Sequence, residues 1–203
     1  VTGGGALTLS SSVLRGATSG YGVRLRGGNT GLIRLSTNTI SDTRYGVHAA
    51  TAAAGQLWIA SNTVVVSTSS AFDTAGLFFD GLQTGATIVN NAVVTRRPGS
   101  LATFTLRALH LKSSRGLVIT RNRLSNPGMV TGGSVEMLSL DDADDVDLGF
   151  GDVFSTGTSL TNAYLLRAVN GSTGLRLSAN ILFSSFSVSG ASATIAMDAT
   201  SAV

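Results

Sequence analysis

Gly116-Leu117-Val118-Ile119-Thr120-Arg121-Asn122-Arg123-Leu124 alternates apolar and polar positions, turns at an Asn, and resumes with an apolar residue. The pattern recurs along the chain as Leu32 to Ile40 around Asn38, Gln56 to Val64 around Asn62, Ala86 to Val93 around Asn91, and Leu175 to Leu182 around Asn180. Two weaker copies place Ser12 and Gly151 at the Asn position. Successive marker residues lie 26, 24, 29, 31, 29 and 29 apart, the signature of a stacked repeat.

A second apolar segment follows each Asn strand, as in Tyr21-Gly22-Val23-Arg24-Leu25, Tyr45-Gly46-Val47-His48-Ala49 and Ala108-Leu109-His110-Leu111-Lys112. Alternation at period two marks short, half-buried strands. Each coil therefore reads as three strands: this segment first, the segment before the Asn second, the segment after it third. In the fourth coil these are expected at 109–112, 117–120 and 123–124, with a turn at 113–116. The Ala-rich stretch 49–54 is too short for a stable helix and reads as a turn ending at Gly55. The whole chain, 1–203, reads as a single all-β parallel solenoid of about seven coils. At strand spacing that is a rod on the order of 30 to 35 Å long.

The recurring Asn residues are expected to occupy a corner with left-handed backbone angles, which Asn and Gly tolerate best; Gly151 fits that account. Stacking would also set Asn38, Asn62, Asn91, Asn122 and Asn180 about 4.8 Å apart, close enough to form an amide ladder.

Composition narrows the function classes. Of 203 residues 43% are apolar and 12% charged, which excludes a disordered chain. Fourteen basic residues against eleven acidic ones leave a charge of +3, and the basic groups are scattered through the coils, so nucleic acid is not an expected partner. There is no Cys, hence no disulfide or thiolate chemistry, and no apolar run long enough to cross a bilayer. No leader peptide is legible and Val1 opens directly in repeat-like sequence, so a segment of a longer or processed protein is expected.

The run from Tyr21 to Leu25, with Gly31-Leu32-Ile33-Arg34-Leu35-Ser36-Thr37-Asn38-Thr39-Ile40, resembles the right-handed parallel β-helix repeat of the pectin lyase-like superfamily along nearly the whole chain. That resemblance implies a fold. It leaves function open, since the superfamily includes lyases, hydrolases, epimerases, tailspikes, adhesins and surface proteins. It also implies that a substrate would lie along the outside of the first-strand sheet. There the outward column reads Arg24, His48, Phe78, His110, Ser139, Arg167, Ala196, beside Arg26, Ala50, Asp80, Lys112, Asp141, Val169, Asp198. The candidate catalytic residues are His48, Asp80, His110, Lys112, Asp141 and Arg167, with a His as acid or base and an Asp as its partner. The simpler reading of the same column is a solvated ladder of opposite charges.

The segment Asp141-Asp142-Ala143-Asp144-Asp145-Val146-Asp147 gathers five carboxylates. Calcium held by Asp141, Asp142, Asp144 and Asp145 would relieve their repulsion, as would Arg115, Arg121 and Arg123 one coil away. No other cofactor is implied. Elsewhere, Trp58 is expected to project from the second strand, and Asn170-Gly171-Ser172 matches a glycosylation acceptor. The catalytic groups of the superfamily's hydrolases, lyases and epimerases are incomplete here. The leading expectation is thus a non-catalytic extracellular or cell-surface β-helix serving as spacer, fibre segment or adhesin-type binding module. Its expected partners are polysaccharides or cell-surface glycans, with head-to-tail or lateral homo-oligomers open. The alternative is an enzyme processing acidic polysaccharides, and a third reading is salt-sensitive binding of anionic glycans through the scattered Arg residues.

Overall fold

The computed structural model describes residues 5–16, 19–26, 31–50, 56–67, 73–82, 85–96, 104–127, 133–149 and 151–202. Within them lie 21 strands and no helix. The strands form three parallel sheets of seven, each sheet taking every third strand in chain order. The chain is a right-handed parallel β-helix with three strands per coil. That is the hand a right-twisted strand imposes on a parallel crossover.

The first-strand sheet contains Tyr21–Leu25, Tyr45–Ala50, Thr74–Asp80, Thr105–Lys112, Ser134–Asp141, Asn162–Val169 and Ser192–Met197. The second-strand sheet contains Leu7–Ser10, Ile33–Ser36, Leu57–Ala60, Ala86–Val89, Arg115–Thr120, Asp144–Gly149 and Arg176–Ser178. The third-strand sheet contains Val13–Arg15, Thr39–Thr43, Thr63–Ser67, Ala92–Arg96, Arg123–Asn126, Asp152–Leu160 and Ile181–Val188. The fourth-coil strands are longer than the alternation suggested, because backbone pairing continues past the last alternating residue; the turn shrinks to Ser113 and Ser114. Ala49 and Ala50 likewise belong to a strand and not to a turn, while 51–54 fall outside the described residues.

Register along the stack is residue for residue: Val47 opposes Val23 and Leu77, and Leu109 opposes Leu77 and Leu138. The inward positions Leu25, Val47, Leu77, Phe79, Leu109, Leu111 and Leu140 are fully buried, as are Leu35, Ile59 and Ile88 from the second-strand sheet. Each apolar side chain therefore packs on its homologue one strand spacing above and below. Burying such a Leu or Phe contributes about 1.5–3 kcal/mol.

The corner between second and third strands is always two residues long, and its chemistry differs from the expectation. The left-handed residue is the one before the marker: Ser11 (φ 51°), Thr37 (57°), Ser61 (56°), Asn90 (56°), Arg121 (55°) and Ala179 (50°). Asn38, Asn62, Asn91, Asn122, Asn180 and Gly151 have no positive φ. The recurrent amide answers a hydrogen-bonding need and not a backbone one. Where the chain bends inward, strand pairing lapses and polar backbone groups are buried, and each must be paired. Asn62 illustrates the solution: its Nδ2 donates to Leu35 O (2.9 Å), Ala60 O (3.0 Å) and Asn91 Oδ1 (3.0 Å). Its Oδ1 accepts from the backbone N–H and the Nδ2 of Asn38, at 3.0 and 2.9 Å.

The expected ladder is real from Asn38 through Asn122, with side-chain links of 2.9, 3.0 and 2.9 Å. Ser12 N donates to Asn38 Oδ1 at one end, and Gly151 N donates to Asn180 Oδ1 beyond the gap, so the two weaker copies hold the expected register. The ladder breaks at Gly151, which with Asn122, Asn180 and apolar core residues lines an interior cavity of about 30 Å³. The corner between first and second strands uses hydroxyls in the same way. Ser114 Oγ accepts from Leu82 N and donates to Lys112 O, while Ser172 Oγ accepts from Ala143 N and donates to Val169 O.

Candidate functional site on the first-strand sheet

Outward residues of the first-strand sheet fall in the predicted columns, Arg24 beside His48, His48 beside Phe78, Phe78 beside His110, His110 beside Ser139, and Ser139 beside Arg167. In-register parallel strands set neighbours close to the stacking distance of flat rings. The rings stack accordingly: His48 on Phe78 (centroids 4.7 Å, planes 10° apart) and Phe78 on His110 (4.7 Å, 9°). Tyr21 and Tyr45 extend the pile, stacked at 5.3 Å on each other and at 5.2 and 5.7 Å on His48. Arg24 and Arg44 lie over the Tyr21 and Tyr45 rings. This five-ring stack was not read from the sequence, although Tyr21, Tyr45, His48, Phe78 and His110 could be aligned there. A ring covered on both faces offers a ligand only its edge.

The stack settles what the histidines can do. Burial, reinforced by the nearby Arg107, pushes His110 down to about 4 against the pull of Asp141 and Glu136. Burial and then Arg24 also lower His48, whose Nδ1 is buried with no hydrogen-bond partner. Both are neutral rings at neutral pH and weak bases, whereas a general base works best with a pKa near the operating pH.

Beyond His110 the face becomes ionic around Glu136, the sole Glu of the chain. Arg107 Nε reaches its Oε2 at 2.8 Å, Arg167 reaches its Oε1 at 2.6 Å, and Ser139 Oγ donates to Oε2 at 3.0 Å. Arg107 also pairs with Asp73 at 3.1 Å. Burial would raise the Glu136 pKa, but the two guanidiniums and the hydrogen bonds outweigh it, and the net shift is downward. Glu136 is thus held ionised and cannot serve as a proton donor. Sequence reasoning missed this clasp because Arg107 and Glu136 meet only through cross-strand register.

Among the described residues the remaining candidates form no ion pair with one another. Lys112 lies between Asp80 and Asp141 in register, as expected, yet among the described residues it closes an ion pair with neither. Asp141 Oδ1 instead accepts from Asn170 Nδ2 at 2.6 Å, and Arg167 is committed to Glu136. Lys112, Asp141 and Arg167, with His110, line a groove of about 290 Å³ whose walls also include Tyr45, Asp73 and Arg107, while Asp80 and His48 lie outside its lining.

The acidic segment is also spent between coils. Asp144 Oδ1 accepts from Thr173 N (3.1 Å) and Oγ1 (2.7 Å), and Asp145 lies 4.0 Å from Arg176. Asp142 supplies a left-handed corner residue (φ 53°), and Asp145 is left-handed (φ 51°) at the start of the strand Asp144–Gly149. Among the described residues no three His, Asp or Glu side chains gather as a metal-binding group. No described helix is long and apolar enough to cross a membrane. In the glycosylation-like triplet the Asn170 amide donates to Asp141 of the preceding coil, while Ser172 donates to Val169 O within the turn and is buried.

Compared with known proteins, the chain matches no family model, no curated protein and no solved structure.

Proposed function

We propose that this chain is a non-catalytic β-helical module of an extracellular or cell-surface protein, a rigid spacer or fibre segment with an adhesin-type binding role. Its repeat is assigned by the same proposal to the pectin lyase-like superfamily, on the strength of the Asn-marked coil pattern. The observation that carries the functional reading is the state of the groove on the first-strand sheet. Of the carboxylates that line it, Asp73 pairs with Arg107 and Asp141 accepts from Asn170; Glu136 is clasped between the groove's Arg107 and Arg167, and the imidazole of His110 is stacked and neutral. An acid–base pair needs one group that can give a proton and another that can take it near neutral pH, and Glu136 and His110 are tuned away from both tasks. The polar side chains of the stack are spent instead on joining one coil to the next, which favours stiffness.

The test is turnover. Acidic polysaccharides incubated with the protein are expected to show no gain in reducing ends or in ultraviolet absorbance from unsaturated products. Turnover that disappears in His110→Ala or Asp141→Ala, with the circular dichroism unchanged, would overturn the proposal. End-to-end self-association through the edge strands of the first and last coils belongs to the same reading, and a concentration-dependent sedimentation coefficient is its expected sign.

A further inference from the structure

A second groove, of about 530 Å³, opens on the outer face of the second-strand sheet and is lined by Leu32, Arg34, Gln56, Trp58, Gly85 and Thr87. We infer that it binds a short segment of an acidic polysaccharide, with one sugar ring against the open face of the Trp58 indole and the carboxylate of an adjoining unit on Arg34, which covers the opposite face.

Three observations carry this. First, Trp58 is 38% exposed on a face where it has Arg34 on one neighbouring strand and Thr87 on the other. The Arg34 guanidinium lies over the ring, 4.3 Å from its centroid. Thr87 is short, so the indole is not sealed between two large neighbours as His48 and Phe78 are. An indole open on one side presents the flat apolar surface that the C–H face of a pyranose packs against, and Gln56 and Thr87 are exposed beside it to bond ring hydroxyls.

Second, Arg34 has no ion pair among the described residues. A guanidinium left in that state gains most from a planar, two-oxygen acceptor, which a carboxylate is. Arg107 and Arg167, on the other sheet, already have theirs.

Third, the surroundings are free of competing acids. Residues 1–41 contain four Arg and no Asp or Glu, and no acid occurs in the second-strand sheet from Leu7–Ser10 through Ala86–Val89. Along the outward column through Trp58, Thr87 and Val118, the first carboxylate is Asp147. The local field is therefore positive and favours an anion. One Arg beside one indole matches a short segment with one charged unit. It does not provide the basic tract that nucleic acid requires.

The inference extends the binding role proposed above to a site of its own, and the two fail separately. Trp58 is the chain's single Trp, so its emission reports this groove directly. Short alginate oligosaccharides are expected to shift or quench that emission saturably, more weakly as salt is raised. The same oligosaccharides with their carboxyls reduced to alcohols are expected to bind at least about tenfold more weakly, a loss of one well-placed charged contact. Arg34→Gln is expected to weaken the acidic oligosaccharide to the same degree, and Trp58→Ala, followed by calorimetry, to abolish binding, both with unchanged circular dichroism. Equal affinity for the reduced chains, full affinity in Arg34→Gln, equal quenching by duplex DNA, or no saturable change would each overturn the inference while leaving the scaffold proposal standing. Cleavage of the oligosaccharide would overturn the scaffold proposal instead.

Discussion

Two adjacent amides, Asn90 and Asn91, make opposite demands on the same substitution. Asn91 is buried, its Nδ2 donating to Ile59 O (2.9 Å), Val89 O (3.1 Å) and Asn122 Oδ1 (2.9 Å). Its Oδ1 accepts from Asn62 N (2.9 Å) and Asn62 Nδ2 (3.0 Å). Replacing it with Gly strands the buried Asn62 N–H, whose partner was that oxygen, and removes a donor from two carbonyls and from Asn122. One orphaned buried group costs about 1–3 kcal/mol, and the other bonds contribute about 1 kcal/mol each, less what Asn62 and Asn122 recover elsewhere. The expected loss is about 3–5 kcal/mol, a large share of the stability of a typical domain. Asn90 is exposed, sits at φ 56°, and makes one side-chain bond, to Ser61 Oγ at 3.2 Å. There Gly relieves the left-handed geometry, so Asn90→Gly should stay within about 0.5 kcal/mol of the parent. Urea unfolding followed by far-ultraviolet circular dichroism and by Trp58 emission measures both. If Asn91→Gly cost less than about 1 kcal/mol, or matched Asn90→Gly, the ladder would not be what holds this corner.

Filling the gap should work in the other direction. Gly151→Asn would bridge Asn122 and Asn180; a Cβ there meets Asn122 O at 3.1 Å and Asn180 Oδ1 at 3.2 Å, so the coils must yield slightly, and a net gain of about 1 kcal/mol is expected. A lower melting temperature would show that the strain wins. Glu136→Gln leaves Arg167 without a carboxylate and Arg107 with only the half-exposed Asp73, and should cost about 2–4 kcal/mol at neutral pH. Because the folded Glu136 pKa lies below the ordinary 4.5, its contribution is present above that value and is lost as pH falls through the folded pKa; the Gln variant should lack this part of the acid profile. His110 gives a second window. A folded pKa of about 4 against an ordinary 6.5 means that the unfolded chain takes up the proton first, so stability falls by about 2–3 kcal/mol as pH drops from 6.5 to 4. His110→Phe keeps the stack on Phe78 and should flatten that slope; an unchanged slope would assign it to other groups. Calcium at millimolar concentration should shift the melting temperature by less than about 1 °C, since Asp141 and Asp144 already bond Asn170 and Thr173. A rise of several degrees would restore the acidic segment as a metal site.

The parts of this molecule that depend on period were legible in the chain. Strand alternation around Val23, Leu77 and Leu109 assigned the inward faces, and spacing between marker residues put Ser12 and Gly151 in register although neither is Asn. Solenoid geometry converts one repeat into every lateral neighbour, so columns such as Arg24, His48, Phe78 and His110 follow from alignment alone. What alignment does not contain is direction and contact. It placed Lys112 between Asp80 and Asp141, but Asp141 bonds the turn at Asn170 instead, and Arg167 bonds Glu136.

The corner shows the boundary most clearly. Sequence marked where the chain bends at Asn38, Asn62, Asn91 and Asn122, and it expected the Asn to serve two ends at once, a left-handed backbone and an amide hydrogen-bonded along the stack. Coordinates place the left-handed angle one residue earlier and send the amide inward to carbonyls of two coils. Only the tertiary structure could decide between them, because, apart from Ala60 O, the groups that Asn62 bonds belong to residues 24 to 29 positions away and become neighbours when the coils close. The same holds for the Glu136 clasp and the open Trp58 groove: residue types were visible in the chain, but whether a charge is paired or an indole is sealed depends on what the next coil sets beside it.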